Sequence, residues 1–179
     1  MRPQVLGTEM LQTKDPERTF ACLIEHVAAV RRAYSALEPG HVIVIVERNL
    51  GFEAEHLFRY CRGIPRSRFL YERGSRRVGI LTTQAFKLAY VTFLSILLRE
   101  ERALCAPADA FVNTLGNNTR ALLRDQLAFF GVSFSTVESQ FSKQRMAIGG
   151  KTGGGKDDLA MALLFGVYFA LDERYTTTA

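Results

Sequence analysis

The chain has 179 residues, 47% of them hydrophobic, and a formal net charge of +5; its mean hydropathy is close to zero. That length suits one core rather than two. The most apolar stretches, 42–46, 88–98 and 159–171, fall short of the ~20 residues that span a bilayer, and the opening MRPQVLGTEM has no apolar signal segment, so neither membrane insertion nor secretion is expected. Cys22, Cys61 and Cys105 lie far apart without a CxxC pair, which argues against a zinc site or a disulfide framework and for reduced, mostly core thiols. His26, His41 and His56 are equally scattered and receive no catalytic role.

In chain order, residues 4–12 are expected to form a strand. Asp15 is placed to cap a helix that opens at Pro16. Phe20, Leu23, Ile24, Val27, Val30 and Tyr34 then recur at helical spacing up to a stop at Pro39-Gly40. The run His41-Val-Ile-Val-Ile-Val-Glu47 is short, continuous and β-branched, the pattern of a central strand buried on both faces. A helix over 52–60 should follow, then an arginine-rich loop and a short strand near 69–71.

A long helix is expected from Thr82 or Thr83 to about Arg102, with Phe86, Tyr90, Phe93, Leu94 and Leu97 facing the core. A shorter helix over 119–130 leads to a strand pair, 132–137 and 144–148, at the edge of the sheet. A glycine-rich turn, 149–155, opens the last helix, Lys156 to about Leu171. Strands alternating with helices imply one mixed α/β sheet flanked by helices, with no internal repeat and no dividing linker.

The positive charge is concentrated. Arg59, Arg62, Arg66, Arg68, Arg73, Arg76 and Arg77 stand against a single acid, Glu72. Arginine beside Phe69 and Tyr71, punctuated by Gly63, Pro65, Gly74 and Gly79, suits a loop that meets phosphate; a solvated basic face is the bland alternative.

Two acidic features occupy chemically useful places. Glu47 ends the most buried strand, and strand ends in α/β sheets open onto the crevice where ligands bind. A carboxylate there is costly unless something neutralises it. Asp157 and Asp158 sit at the first turn of the last helix, where acids ordinarily cap. Their combination with Glu47, a glycine run that permits close backbone approach, and Lys151 and Lys156 points instead to oxygen ligands for Mg²⁺ or Mn²⁺. Gly150-Lys-Thr-Gly-Gly-Gly-Lys156 also satisfies GxxxxGK, but a phosphate-binding loop needs Ser or Thr next, and Asp157 stands there. No nucleotide is expected.

Four stretches carry a resemblance that spans about residues 5–170: Leu6-Gly-Thr-Glu-Met-Leu-Gln-Thr-Lys-Asp15, Val-Ile-Val-Glu47-Arg-Asn49, Gly79-Ile-Leu-Thr-Thr-Gln-Ala-Phe-Lys87 and Gly155-Lys-Asp-Asp-Leu-Ala-Met-Ala-Leu163. In order and spacing they resemble the C-terminal nuclease domain of viral terminase large subunits, of the herpesvirus and tailed-phage type. The resemblance implies an RNase H-like fold and a two-metal endonuclease that cuts concatemeric double-stranded DNA during genome packaging. It implies Glu47 and Asp157 or Asp158 as metal ligands, with two ions ~4 Å apart activating water and stabilising the leaving oxygen. Phosphate contacts would come from Arg66, Arg68, Arg73, Arg76 and Arg77 beside the site and from Lys87, Lys151 and Lys156 nearer the cleft, positioning the duplex without reading bases.

The same resemblance places the family's first catalytic aspartate on a strand before residues 4–12, so the domain is expected to lack its first strand or strands, with no ATPase domain. Glu9 and Asp15 match positions after that aspartate and do not replace it. Other terminase subunits and the portal are the implied partners, in the host nucleus for a herpesvirus and the host cytoplasm for a phage. A non-catalytic DNA-binding or assembly module, and a junction-resolvase-like nuclease, are the competing readings.

Overall fold

The computed structural model describes residues 4–37, 39–48, 61–72, 74, 77–100, 105–137, 143–149, 157–169 and 175–177. Its elements in order are helix α1 (Pro16–Ala33), a 3-10 turn (Ser35–Leu37), strand β1 (Val42–Val44), a second 3-10 turn (Cys61–Gly63), β2 (Ser67–Glu72), α2 (Gln84–Glu100), α3 (Thr119–Phe129), β3 (Gly131–Val137), β4 (Lys143–Gly149), α4 (Asp158–Phe169) and β5 (Tyr175–Thr177). The architecture is mixed α/β. Among the described residues no helix is long and apolar enough to cross a membrane.

The central sheet has the order β1-β2-β5. β1 runs parallel to β2, with Val42, Ile43 and Val44 opposite Ser67, Arg68 and Phe69. β5, which has no hydrophobic run to announce it in the sequence, pairs antiparallel with β2.

Alternation along these strands builds two cores. Val42, Val44, Val46 and Phe69 pack with Phe20, Leu23 and Val27 of α1 on one face. Ile45, Leu70 and Ile80 pack with Phe86, Tyr90 and Leu94 of α2 and Met161, Leu164 and Phe165 of α4 on the other. Successive side chains of a strand point to opposite faces, so a run that is apolar at every position is what a strand covered on both sides requires. Hydrogen-bonded β1 itself is shorter than the 41–47 run that produced the expectation.

Past Val44 its place beside β2 is taken by a returning segment: Gly79 N–H donates to Leu70 O, Ile80 N–H to Val46 O, and Arg48 N–H to Ile80 O. Gly79 makes this change of partner possible. Its φ of +86° is left-handed, and a Cβ there would lie 2.6 Å from Val46 O, so glycine is required on both counts.

Other expectations are corrected. Residues 4–12 form no strand; Val5 and Gly7 make isolated parallel bridges to Cys105 and Val112, and the segment is tied to the 105–115 loop rather than to the sheet. β3 and β4 do pair antiparallel, but as a separate two-stranded sheet, with no bond to β1-β2-β5 among the described residues. Cys22 and Cys105 are half-buried free thiols rather than core residues, and desolvation pushes both thiols upward in pKa. The helix expected over 52–60 and the Leu97 side chain lie outside the described residues.

Candidate metal and nucleic-acid site

Three of the four helices among the described residues start in the same way. Asp15 Oδ1 accepts the Glu17 N–H at 3.0 Å, Thr83 Oγ1 accepts the Phe86 N–H at 3.1 Å, and Asn118 Oδ1 accepts the Ala121 N–H at 3.4 Å. Each residue's own carbonyl also receives the first helical bond, from Thr19, Lys87 and Leu122 respectively. These are ordinary N-caps, which satisfy amides that a helix start leaves unpaired.

α4 differs. The Asp157 carbonyl accepts the Met161 N–H at 2.8 Å, which makes Asp157 the N-cap and Leu159 and Ala160 the second and third helical residues. Their amides, the two an N-cap side chain ordinarily takes, donate to Gln126 Oε1 of α3 at 2.8 and 3.1 Å. Gln126 is 5% exposed, and its Nε2 is buried without a hydrogen-bond partner. Asp157 is buried at 6% exposure, while Asp158 is exposed.

Glu47 bridges Ile80 in parallel register at the end of the β1 run and is half-buried. Ile80 faces the α2/α4 core, as does Ile45 two residues before Glu47. Bridge partners, and strand residues two apart, share a face of the sheet. The Glu47 side chain therefore lies on the face that α4 covers, and Asp157 opens the helix packed there. Among the described residues no three His, Cys, Asp or Glu side chains form a group that could hold a metal.

The arginines divide. Arg68 pairs with Ile43, four residues before Glu47, or roughly 13 Å at the rise of an extended strand. Arg66 lies further back, in the turn before β2 with φ +57°, and its guanidinium donates to Pro39 O. Neither stands beside the carboxylates as expected, because parallel pairing puts the start of β2 at the start of β1. Arg66 instead lines an open groove of about 650 Å³ with Arg31, Arg32, Ile24, Ile64 and Pro65.

Arg77 is exposed at the β2 return, where its carbonyl accepts the Glu72 N–H. Lys87, half-buried, is in the first turn of α2, which follows directly from the Ile80 segment. Arg73, Arg76, Lys151 and Lys156, with glycines 150–155, lie outside the described residues.

Glu9 is structural. Its carboxylate accepts Thr114 Oγ1–H at 2.8 Å, Leu115 N–H at 3.3 Å, His26 Nδ1–H at 3.0 Å and the Thr114 N–H. Desolvation opposes its charge, but the Thr114, His26 and Leu115 bonds together outweigh it and hold its pKa below the usual carboxylate value.

Gln126 is the residue the sequence did not announce. The signal was present: Thr119, Leu123 and Gln126 are the buried positions of α3, so the glutamine sits on an apolar helical stripe. Sequence alone did not say which backbone it meets.

No family model, no curated protein and no solved structure matches this chain.

Proposed function

We propose that the chain is the core of a divalent-metal-dependent endodeoxyribonuclease with an RNase H-like sheet, acting on double-stranded viral DNA in the manner of terminase nuclease domains. The observation that carries the reading is that Glu47 ends the doubly covered strand beside Ile80, and that Asp157 opens the helix whose Met161, Leu164 and Phe165 pack with Ile80. Hard oxygen donors of this kind suit Mg²⁺ or Mn²⁺. Such ions would supply an activated water and charge stabilisation at a phosphodiester.

Within this reading Glu47 and Asp157 hold metal, and Asp158 faces solvent and incoming phosphate-bound ions. Lys87 and Arg77 approach the backbone from the Ile80 end of the sheet; Arg73, Arg76, Lys151 and Lys156 are phosphate contacts by the resemblance alone and lie outside the described residues. Arg66 and Arg68 lie toward the opposite end of the sheet.

The test is plasmid nicking by the purified chain with Mn²⁺, against EDTA and against Glu47→Ala, Asp157→Ala and Asp158→Ala. Manganese-dependent nicking lost in Glu47→Ala and Asp157→Ala supports the reading. Salt-sensitive DNA binding without nicking favours a binding or assembly module, and cleavage confined to branched DNA favours a resolvase-like activity.

A further inference from the structure

Ile64-Pro-Arg-Ser67 forms the turn that leads into β2. Ser67 N–H donates to Ile64 O at 3.2 Å, proline stands second, and the third residue, Arg66, has a φ of +57°. A turn built this way ordinarily takes glycine or asparagine in third place, because an L side chain is strained in left-handed backbone. Arg66 is exposed, so no core packing requires it. Its carbonyl accepts the Val42 N–H, a bond that any residue could make, and its guanidinium donates to Pro39 O in an exposed hydrogen bond of modest worth. A side chain retained on strained backbone points to a use for that side chain.

The Arg66 side chain forms one wall of the groove of about 650 Å³ between this turn and α1. Ile24, Val27, Arg31 and Arg32 recur at helical spacing along α1 and line the other wall. Ile24 is 38% exposed, although Ile64 beneath the turn is buried. Arg31 is held in place by donating to Gly40 O at 3.2 Å and Pro65 O at 3.0 Å. The groove thus joins an apolar floor to three guanidinium groups, and no acidic side chain is among the described residues that line it.

We propose that this groove docks an acidic peptide segment of a partner protein, with apolar side chains of the segment against Ile24, Val27 and Ile64 and its carboxylates on Arg31, Arg32 and Arg66. Charge complementarity sets the sign of the partner, and the floor sets its class. A nucleic-acid backbone would answer the guanidinium groups but has no apolar side chain to cover Ile24. Arginine pairs with carboxylates through two parallel bonds, and apolar anchors seated in a groove are a recurring mode of peptide recognition. The surface is independent of the metal-dependent reading: it lies at the start of β2, which pairs with the start of β1, away from Glu47.

The experiment measures fluorescence anisotropy of labelled probes with the full chain and with Arg32→Glu, Ile24→Gln and Arg66→Gly, and follows thermal unfolding of each protein by circular dichroism. The probes are short amphipathic peptides of leucine and glutamate, of leucine and lysine, and of serine and glutamate, together with a DNA duplex. The leucine–glutamate peptide should bind wild type more tightly than either other peptide, less tightly as salt is raised. Each substitution should weaken it on the order of tenfold. Arg66→Gly should nonetheless melt no lower than wild type, because glycine relieves the left-handed strain.

No saturable binding of the leucine–glutamate peptide, or binding indifferent to Arg32→Glu, overturns the proposal. Equal binding of the serine–glutamate peptide overturns the role of the apolar floor, and with it the peptide assignment. Duplex binding weakened by Arg32→Glu and Arg66→Gly, without peptide binding, gives the surface to phosphate instead. A lower melting temperature for Arg66→Gly with unchanged peptide affinity shows that the arginine serves the turn and also overturns the proposal. If Ile24→Gln does not fold, the exposed Arg32→Glu carries the test.

Discussion

The starts of α1 and α4 both carry an aspartate at the N-cap, yet they are built differently. Asp15 is exposed and caps its own helix through Glu17 N–H. Asp157 is buried, and the amides it would ordinarily satisfy are held by Gln126. The same residue in the same helical position is thus a structural part in one place and spared that duty in the other. An acid's role is therefore read from which amides need it, and residue type with helical position is insufficient.

Substitutions can break or sharpen this contrast. The largest effect is expected from Leu164→Ala, which removes a side chain with no exposure from the core that seats α4. It should cost about 2–5 kcal/mol in denaturant unfolding. Gly79→Ala should follow, at about 1–3 kcal/mol for the left-handed backbone alone and more from the clash with Val46 O; it would shift Ile80 and with it the strand end that carries Glu47.

Asp15→Ala should cost about 1 kcal/mol, the ordinary value of a lost cap, whereas Asp157→Ala should cost less than that in the same assay, because Gln126 already holds the Leu159 and Ala160 amides. Equal costs at the two aspartates would erase the distinction. The smallest effect at neutral pH falls on Glu9→Gln. The folded-state pKa of Glu9 is depressed, so its stabilisation is present above the unfolded value of about 4.3 and is lost as pH falls through the lower folded value. The difference between Glu9→Gln and wild type should therefore be clear at pH 7 and vanish in strong acid.

Much of the fold was legible because periodicity reports burial. The Val42–Val46 run announced a strand covered on both faces, and Pro16, Thr83 and Thr119 marked helix starts within a residue. What escaped depends on partners distant in sequence. Residues 4–12 look like a strand, but their partners are Cys105 and Val112. β5 has only Tyr175, Thr176 and Thr177 and forms because β2 offers an edge.

The site was legible as a pair of acids and not as a constellation. Strand end and helix start were visible for Glu47 and Asp157. The basic stretch read as a single surface, but the parallel register of β1 and β2 sends Arg66 and Arg68 to the end away from Glu47. Gln126 was hidden because a glutamine on an apolar stripe has no distinctive spacing.

The central claim, that Glu47 and Asp157 serve a cation rather than the fold, is tested most directly by the rise in unfolding temperature on adding Mn²⁺ to wild type, Glu47→Gln and Asp157→Asn. A ligand bound only by the folded state stabilises it by about 2.7 kcal/mol at a hundredfold excess over its Kd. The account predicts a concentration-dependent rise in wild type that is lost in both variants. An equal rise in all three proteins, or none in wild type, would contradict it.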